Sequence, residues 1–325
     1  MYDLLILISE AGAASFLRPV LRALQQRADL NWALTTTPVA LSGLADDVPG
    51  TRLLRSDLDR TSAAMAGDIL DMVEPRRVLA SAGGWPLERA VIRQAQKRSI
   101  VTAQFVDTWY GYRRRFLEGT DALLPDHLLV IDPRAVAEAE ADGLPANKLH
   151  ACGHPLWGEI SLLPPIDSRA TLFIGAPVKR DYGNSLGYTE DDAWTCLLDV
   201  ARQRPDLVSN LEYAPHPEQK NIAVSVPISP YITARLAYVG QVVGMFSAPL
   251  IEAYIAGRRS ISLQPHAGRT DMAPLSRFGL SPRVTSAQQL IDALEAPLPD
   301  NTLFRADLAN STVRFLTAIG ELLPA

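Results

Sequence analysis

Short apolar runs alternate along the whole chain with segments whose apolar residues recur at helical spacing. Leu4 to Ile8 is a continuous apolar run, followed by the mostly small residues Ser9 to Ser15 and a helical stripe through Phe16, Val20, Leu21 and Leu24. Buried strand, small-residue turn and amphipathic helix open an α/β unit. The same reading predicts strands at Trp32 to Thr36, Arg76 to Ser81, Ser99 to Val106 and His127 to Ile131, with a helix over Leu87 to Lys97. Pro164 and Pro165 interrupt the series and predict a linker, giving domains of 1–164 and 165–325. In the second series, strands are expected at Ala170 to Ile174, Asn210 to Ala214, Gln241 to Phe246 and Arg259 to Leu263. Helices are expected at Glu190 to Arg202, Leu250 to Ala256, Ala287 to Leu294 and Asn310 to Leu323, the last a candidate to pack back on the first domain. The expected fold is α/β, with two Rossmann-like domains facing a cleft.

Composition narrows the function classes. The chain has 325 residues, 47% apolar and 21% charged, enough to bury full cores and unlike a disordered chain. A net charge of -5 argues against a general nucleic-acid binder, which must neutralise many phosphates. Two cysteines, Cys152 and Cys196, are too few for a disulfide framework or a four-cysteine zinc site, so a reducing compartment is expected. The N-terminal apolar run follows Asp3, lacks a basic flank and is far shorter than the roughly 20 residues of a membrane span. A cytoplasmic protein is expected, touching a membrane at most peripherally from its inner face; the oligomeric state is not encoded in these patterns.

Candidate chemistry lies where strands end. Ser247, followed by Ala248, Pro249 and Glu252, puts a hydroxyl and free amides at a helix start, which suits a phosphate oxygen; the bland reading is an N-cap with a capping box. His216 stands between Pro215 and Pro217, whose rings restrict the backbone and hold the imidazole near one direction, although a surface turn would look the same. Asp107 ends a strand beside Trp109, Tyr110 and Tyr112, a pattern for a base in a sugar-stacking wall or for a helix start. Arg113 to Arg115 could bind an anionic group or form a solvated face. Gly12, the Gly83-Gly84 pair and Gly175 mark turns that admit a ligand close to the backbone, and Lys179 and Arg180 follow Gly175 as phosphate clamps or a solvated loop. Glu10 is a second carboxylate at a strand end.

The order of the Gly175 turn, the His216-Pro217 pair and the Ser247-x-x-Leu-Ile-Glu-Ala helix start resembles the donor half of GT-B glycosyltransferases. It is particularly similar to bacterial sialyltransferases and polysialyltransferases, over roughly His216 to Pro265. The resemblance implies that His216 contacts the donor phosphate and assists nucleotide departure, and that Ser247 binds the phosphate; Ala248 stands where that family has a second serine. The family's base is a first-half carboxylate, often in an acidic pair before glycine. Asp46-Asp47 precedes Val48 instead, so Asp107 takes the role by position, with Glu10 as the alternative. Gly153-His154-Pro155 also resembles the turn that closes the first half of UDP-sugar 2-epimerases, whose serine helix usually starts Ser-Gly-Gly. The implied function is metal-independent transfer of a sugar, such as a nonulosonic acid from a CMP-sugar, to a glycan or other acceptor in surface polysaccharide or glycoconjugate biosynthesis. The alternatives are an epimerase or hydrolase of the same fold, or a non-catalytic nucleotide-sugar-binding relative. The implied catalytic residues are Asp107 and His216. Gly175, Lys179, Arg180, His216, Ser247, Ala248 and Glu252 are implied at the donor, and Gly12, Gly84, Trp109, Tyr110 and Arg113 at the acceptor. No cofactor or metal is expected.

Overall fold

The computed structural model describes residues 1–41, 43–44, 52–166, 168–216, 219, 224–229, 232–266 and 271–322. Asp46, Asp47, Asp167 and Pro217 lie outside the described residues. The chain forms two compact units, Met1–Glu159 with Ala306–Ala325, and Ile160–Arg305. The division therefore falls ahead of Pro164-Pro165. The reason is local bonding: the Leu163 amide donates to the Ala256 carbonyl (3.1 Å), and the Arg258 guanidinium donates to the Pro164 carbonyl (3.0 Å).

The first unit carries β1 (Leu4–Ile8), β2 (Trp32–Thr36), β3 (Leu53–Arg55), β4 (Arg77–Ser81) and β5 (Val101–Phe105). A short antiparallel hairpin follows, β6 (Leu117–Glu118) and β7 (Asp121–Ala122), and then β8 (His127–Val130) and β9 (Leu149–Ala151). Seven of these strands form a parallel sheet in the order β3-β2-β1-β4-β5-β8-β9. The helices are α1 (Ala11–Gln25), α2 (Pro38–Leu41), α3 (Ala66–Val73), α4 (Pro86–Lys97), α5 (Pro133–Ala141) and α6 (Pro155–Gly158). Alternate residues of β1 serve two cores. Leu4, Ile6 and Ile8 pack with Phe16 and Phe105, while Leu5 and Leu7 pack with Leu70, Val78 and Val91. A parallel sheet covered on both faces reads as a continuous apolar run for this reason.

The second unit has β10 (Ala170–Ile174), β11 (Ser209–Ala214), β12 (Gln241–Gly244), β13 (Arg259–Leu263) and β14 (Arg283–Val284), all parallel in the order β11-β10-β12-β13-β14. Its helices are α7 (Val178–Tyr182), α8 (Glu190–Gln203), α9 (Ile232–Arg235), α10 (Ala248–Ile255), α11 (Pro274–Arg277) and α12 (Ala287–Glu295); α13 (Thr302–Leu308) runs across the division. Thr189 and Asp192 form a capping box that starts α8. The final helix, α14 (Ser311–Leu322), belongs to the first unit. Its Phe315 is fully buried, 5.5 Å from the Phe16 ring and 6.2 Å from the Phe105 ring. Among the described residues, no helix is long and apolar enough to cross a membrane.

Strand order locates the crevices. In the first sheet the chain runs outward from β1 to β2 and β3, then returns to add β4 on the other side of β1. In the second it runs from β10 to β11, then adds β12 on the other side of β10. The carboxyl ends at such reversals are where open α/β sheets bind ligands.

Candidate functional site

Three neighbouring strands of the first unit deliver polar groups to one end of the sheet. Glu10 follows β1, Gly83-Gly84 follows β4, and Asp107 follows β5. A cavity of about 360 Å³ opens there, lined by Glu10, Gly83, Gly84, Tyr110, Arg114 and Arg115. Gly84 is favoured by its backbone conformation, and Gly83 packs closely against neighbouring side chains. A Cβ on Gly83 would lie 2.6 Å from the Glu10 carboxylate, and Gly84, at φ +80°, would bring one within 3.1 Å of the Arg115 carbonyl. Asp107 is half-buried, and one oxygen lies 3.5 Å from where a Cβ on Gly12 would stand. Its other oxygen is 3.8 Å from Arg115, whose guanidinium also donates to the Ala82 carbonyl (2.8 Å). Arg60 lies 3.6 Å from Glu10 and stacks 3.9 Å over the Trp85 ring.

Beneath this surface is a carboxyl group that sequence reasoning missed. Glu88, three residues into α4, is fully buried and accepts from the Ser81 hydroxyl (2.5 Å) and the Trp85 amide (3.1 Å). Burial pushes its pKa up to about 7, against the opposing effect of those hydrogen bonds. Its signal in the sequence is an acid three residues after a helix start.

Several residues chosen from the sequence stand elsewhere. Trp109 has no exposed surface; its indole N–H donates to Asp132 (2.9 Å) and its ring stacks on Trp157 (5.1 Å), so it supports the fold and cannot form a sugar-stacking wall. Arg113 turns to the 142–143 turn: its amide donates to Asp142 (2.8 Å), and a Cβ on Gly143 would sit 2.8 Å from its guanidinium. The 3-10 turn Arg113–Phe116 thus gives the pocket Arg114 and Arg115 instead. His154 is a buried structural histidine. It accepts from the Trp157 amide (3.2 Å) to cap α6 and stacks on Trp157 (3.5 Å), and burial holds its pKa well below the ordinary value.

In the second unit, Gly175, His216 and Ser247 follow β10, β11 and β12, three adjacent strands. Gly175 is explained by packing. A Cβ there would clash with Gln219 and come within 2.6 Å of the Tyr213 hydroxyl. Gln219 in turn accepts from the His216 amide (2.8 Å), which fixes the turn. Lys179 and Arg180 are exposed on α7; the Lys179 amide donates to Glu190 (2.8 Å), and Arg180 pairs with Asp181 (2.6 Å). Ser247 occupies the N-cap position of α10, yet its hydroxyl makes no cap hydrogen bond, and its buried oxygen has no partner among the described residues. Ala248 is exposed at the first position of α10, whereas Glu252 lies beyond its first turn, outside capping-box reach. An uncapped helix start with a buried, unused hydroxyl is equipped for an anionic oxygen.

The metal-free expectation meets one opposing sequence feature, the Asp-x-Asp triplet Asp57-Leu58-Asp59. Both carboxylates serve local contacts: Asp57 pairs with Arg55 (2.7 Å), and Asp59 accepts from the Thr61 hydroxyl (2.7 Å). Among the described residues, no group of three or more His, Cys, Asp or Glu side chains could hold a metal ion.

These features define a two-unit α/β protein of GT-B-like fold, with polar groups gathered at the reversal of each sheet. No protein-family model matches the chain, and no curated protein matches it in sequence. Solved structures match it from end to end. The UDP-GlcNAc 2-epimerase from Neisseria meningitidis, bound to UDP-GlcNAc, matches at 13% identity with a TM-score of 0.66, over 98% of this chain and 100% of that one. MnaA of S. aureus, solved with UDP, matches at 13% identity and a TM-score of 0.65, over 99% and 97%. The spinosyn forosaminyltransferase SpnP matches at 14% identity and a TM-score of 0.61, over 100% of both chains. At these identities the likeness establishes the fold.

Proposed function

We propose that the protein is an enzyme acting on a UDP-sugar, and that it works on the sugar itself in the manner of a 2-epimerase or hydrolase. The observation that carries this reading is the buried, unpartnered Ser247 hydroxyl at the head of α10, at the reversal of the second sheet. A diphosphate oxygen there would accept from the hydroxyl and gain from the helix dipole. His216, at the end of the strand on the far side of β10, is the side chain assigned to stabilise or protonate the departing nucleotide. UDP replaces CMP as the expected nucleotide because the S. aureus and Neisseria structures carry UDP or UDP-GlcNAc. Inversion at C2 requires that a C2 proton leave to a base as the C1–O bond to UDP breaks, and that a proton return to the opposite face of C2 as the bond to UDP re-forms; in hydrolysis, water takes C1 instead and UDP is freed. Glu10 and Asp107 are the carboxylates assigned to that exchange. The cytoplasm is the proposed location, and no metal enters the scheme.

The test is incubation with UDP-GlcNAc alone in D₂O, followed by proton NMR. Deuterium at C2 with appearance of the 2-epimer, or release of free UDP, is expected without any acceptor. Failure of both UDP and UDP-GlcNAc to bind would overturn the proposal. A second reading, glycosyl transfer with Asp107 as base, draws on the complete two-way match to the forosaminyltransferase. It predicts that UDP release waits for an acceptor, so the same incubation separates the two.

A further inference from the structure

The first-unit pocket holds more positive charge than its carboxylates balance. Glu10 faces Arg60 at 3.6 Å, and Asp107 faces Arg115 at 3.8 Å. Arg114 has no carboxylate within 4 Å among the described residues. Its guanidinium lies 5.7 Å from the Tyr110 ring, and that of Arg115 lies 5.8 Å from the same ring. One phenol therefore gathers two guanidiniums at the pocket wall. Arg115 is largely buried: its side chain is 12% exposed, one nitrogen donates to Ala82, and its Nε has no partner among the described residues. Guanidiniums present planar forks that match a carboxylate with two parallel hydrogen bonds.

We propose that this pocket binds a carboxylated saccharide, with its carboxylate on Arg114 and Arg115 and its hydroxyls donating to Glu10. The anionic character of the ligand follows from the pocket's charges; that it is a sugar rests on the second reading above, glycosyl transfer, in which this pocket takes the acceptor and Asp107 its proton. Glu10 supplies the selectivity. A bare anion such as phosphate gains little from Glu10, whereas a ligand that carries hydroxyls beside its charge donates to it. The volume, about 360 Å³, stands at the small end of the roughly 300–1,000 Å³ typical of ligand pockets and suits a sugar unit.

The experiment titrates the full chain with a galacturonic-acid tetrasaccharide, with the same tetrasaccharide fully methyl-esterified, and with inorganic phosphate. Binding is read by saturation-transfer NMR and calorimetry. The acid is expected to bind at least about tenfold more tightly than the ester, as the loss of one charge-assisted pair implies. Arg114→Ala is expected to weaken the acid by a similar factor while melting as the parent does, since the exposed Arg114 makes no ion pair among the described residues. No binding of the acid, equal binding of acid and ester, or an unchanged Arg114→Ala affinity would overturn the proposal. Phosphate binding as tight as the acid would overturn its saccharide half. UDP binding, measured separately on the parent chain, reports on the nucleotide reading alone, so the two fail distinguishably.

Discussion

Replacing Ser247 with alanine should move stability and nucleotide affinity in opposite directions. A serine that caps a helix contributes about 1 kcal/mol through its side-chain hydrogen bond, and Ser→Ala at such a site destabilises by about that amount. Here the hydroxyl occupies the N-cap position without making that bond, and its oxygen is buried and unpartnered. Leaving such a group unsatisfied costs about 1–3 kcal/mol. Removing it should leave the unliganded protein as stable as the parent, or up to about 1 kcal/mol more stable. On the proposed reading the same hydroxyl donates to an ionised phosphate oxygen of UDP, an interaction worth about 1.5–3 kcal/mol. Its loss should weaken UDP by about 10- to 150-fold. Urea denaturation of the unliganded proteins gives the first quantity, and calorimetric titration with UDP gives the second. A Ser247→Ala protein that is about 1 kcal/mol less stable and binds UDP as the parent does would refute the reasoning and restore the ordinary N-cap.

Three further outcomes test the surroundings. Glu88 is held up at about 7 by burial, above its unfolded value near 4.5, so its contribution is fully present below about pH 4.5 and is lost as pH rises toward 7. Glu88→Gln should flatten that part of the stability–pH curve by about 3 kcal/mol, read by denaturation at stepped pH, and an unchanged slope would contradict the assignment. Trp109→Ala should cost about 3–5 kcal/mol, because the ring is fully buried against Trp157; native-like stability in thermal melts would return Trp109 to the surface. Phe315→Ala should cost a similar amount if α14 completes the first unit's core, and hydrogen exchange should show the loss in β1, α1 and β5.

The longer strands of the two sheets were legible because burial on both faces writes most of them as continuous apolar runs; β1, β4 and β10 are buried at every residue. Elements of two to four residues such as β3, α6 and β14 carry too few positions to show a period and escaped detection. Strand ends told where polar residues would gather, which is why Glu10, Asp107, His216 and Ser247 were visible at all. Loops have no period, so the direction of each side chain was not legible there. Of the adjacent Trp109 and Tyr110, the first is in the core and the second lines the pocket. The arginine triplet divides in the same way, because consecutive residues of a 3-10 turn point about a third of a turn apart. Nothing in the sequence marks Glu88, three residues into α4, as buried; the packing of α4 against the sheet buries it.

Fold likeness alone cannot separate epimerisation from transfer, because both reactions break the same bond between the sugar and the nucleotide. What differs is what the freed sugar carbon meets next. The chain has alanine where the resembling serine motifs carry a second serine and the epimerases a glycine, and proline follows, removing one amide donor from the first turn of α10. On the proposed reading, charge on a departing diphosphate is then met by fewer groups: the Ser247 hydroxyl, the remaining amides and His216. In the first unit Glu10, Asp107, Arg114 and Arg115 gather at one end of the sheet, beside Gly84, whose φ of +80° and 3.1 Å approach to the Arg115 carbonyl leave little room for a side chain. On the two proposed readings the chemistry at that end differs: a 2-epimerase or hydrolase needs a base or a water there and releases UDP unaided, whereas a transferase needs an acceptor hydroxyl beside Asp107 before the bond to UDP breaks.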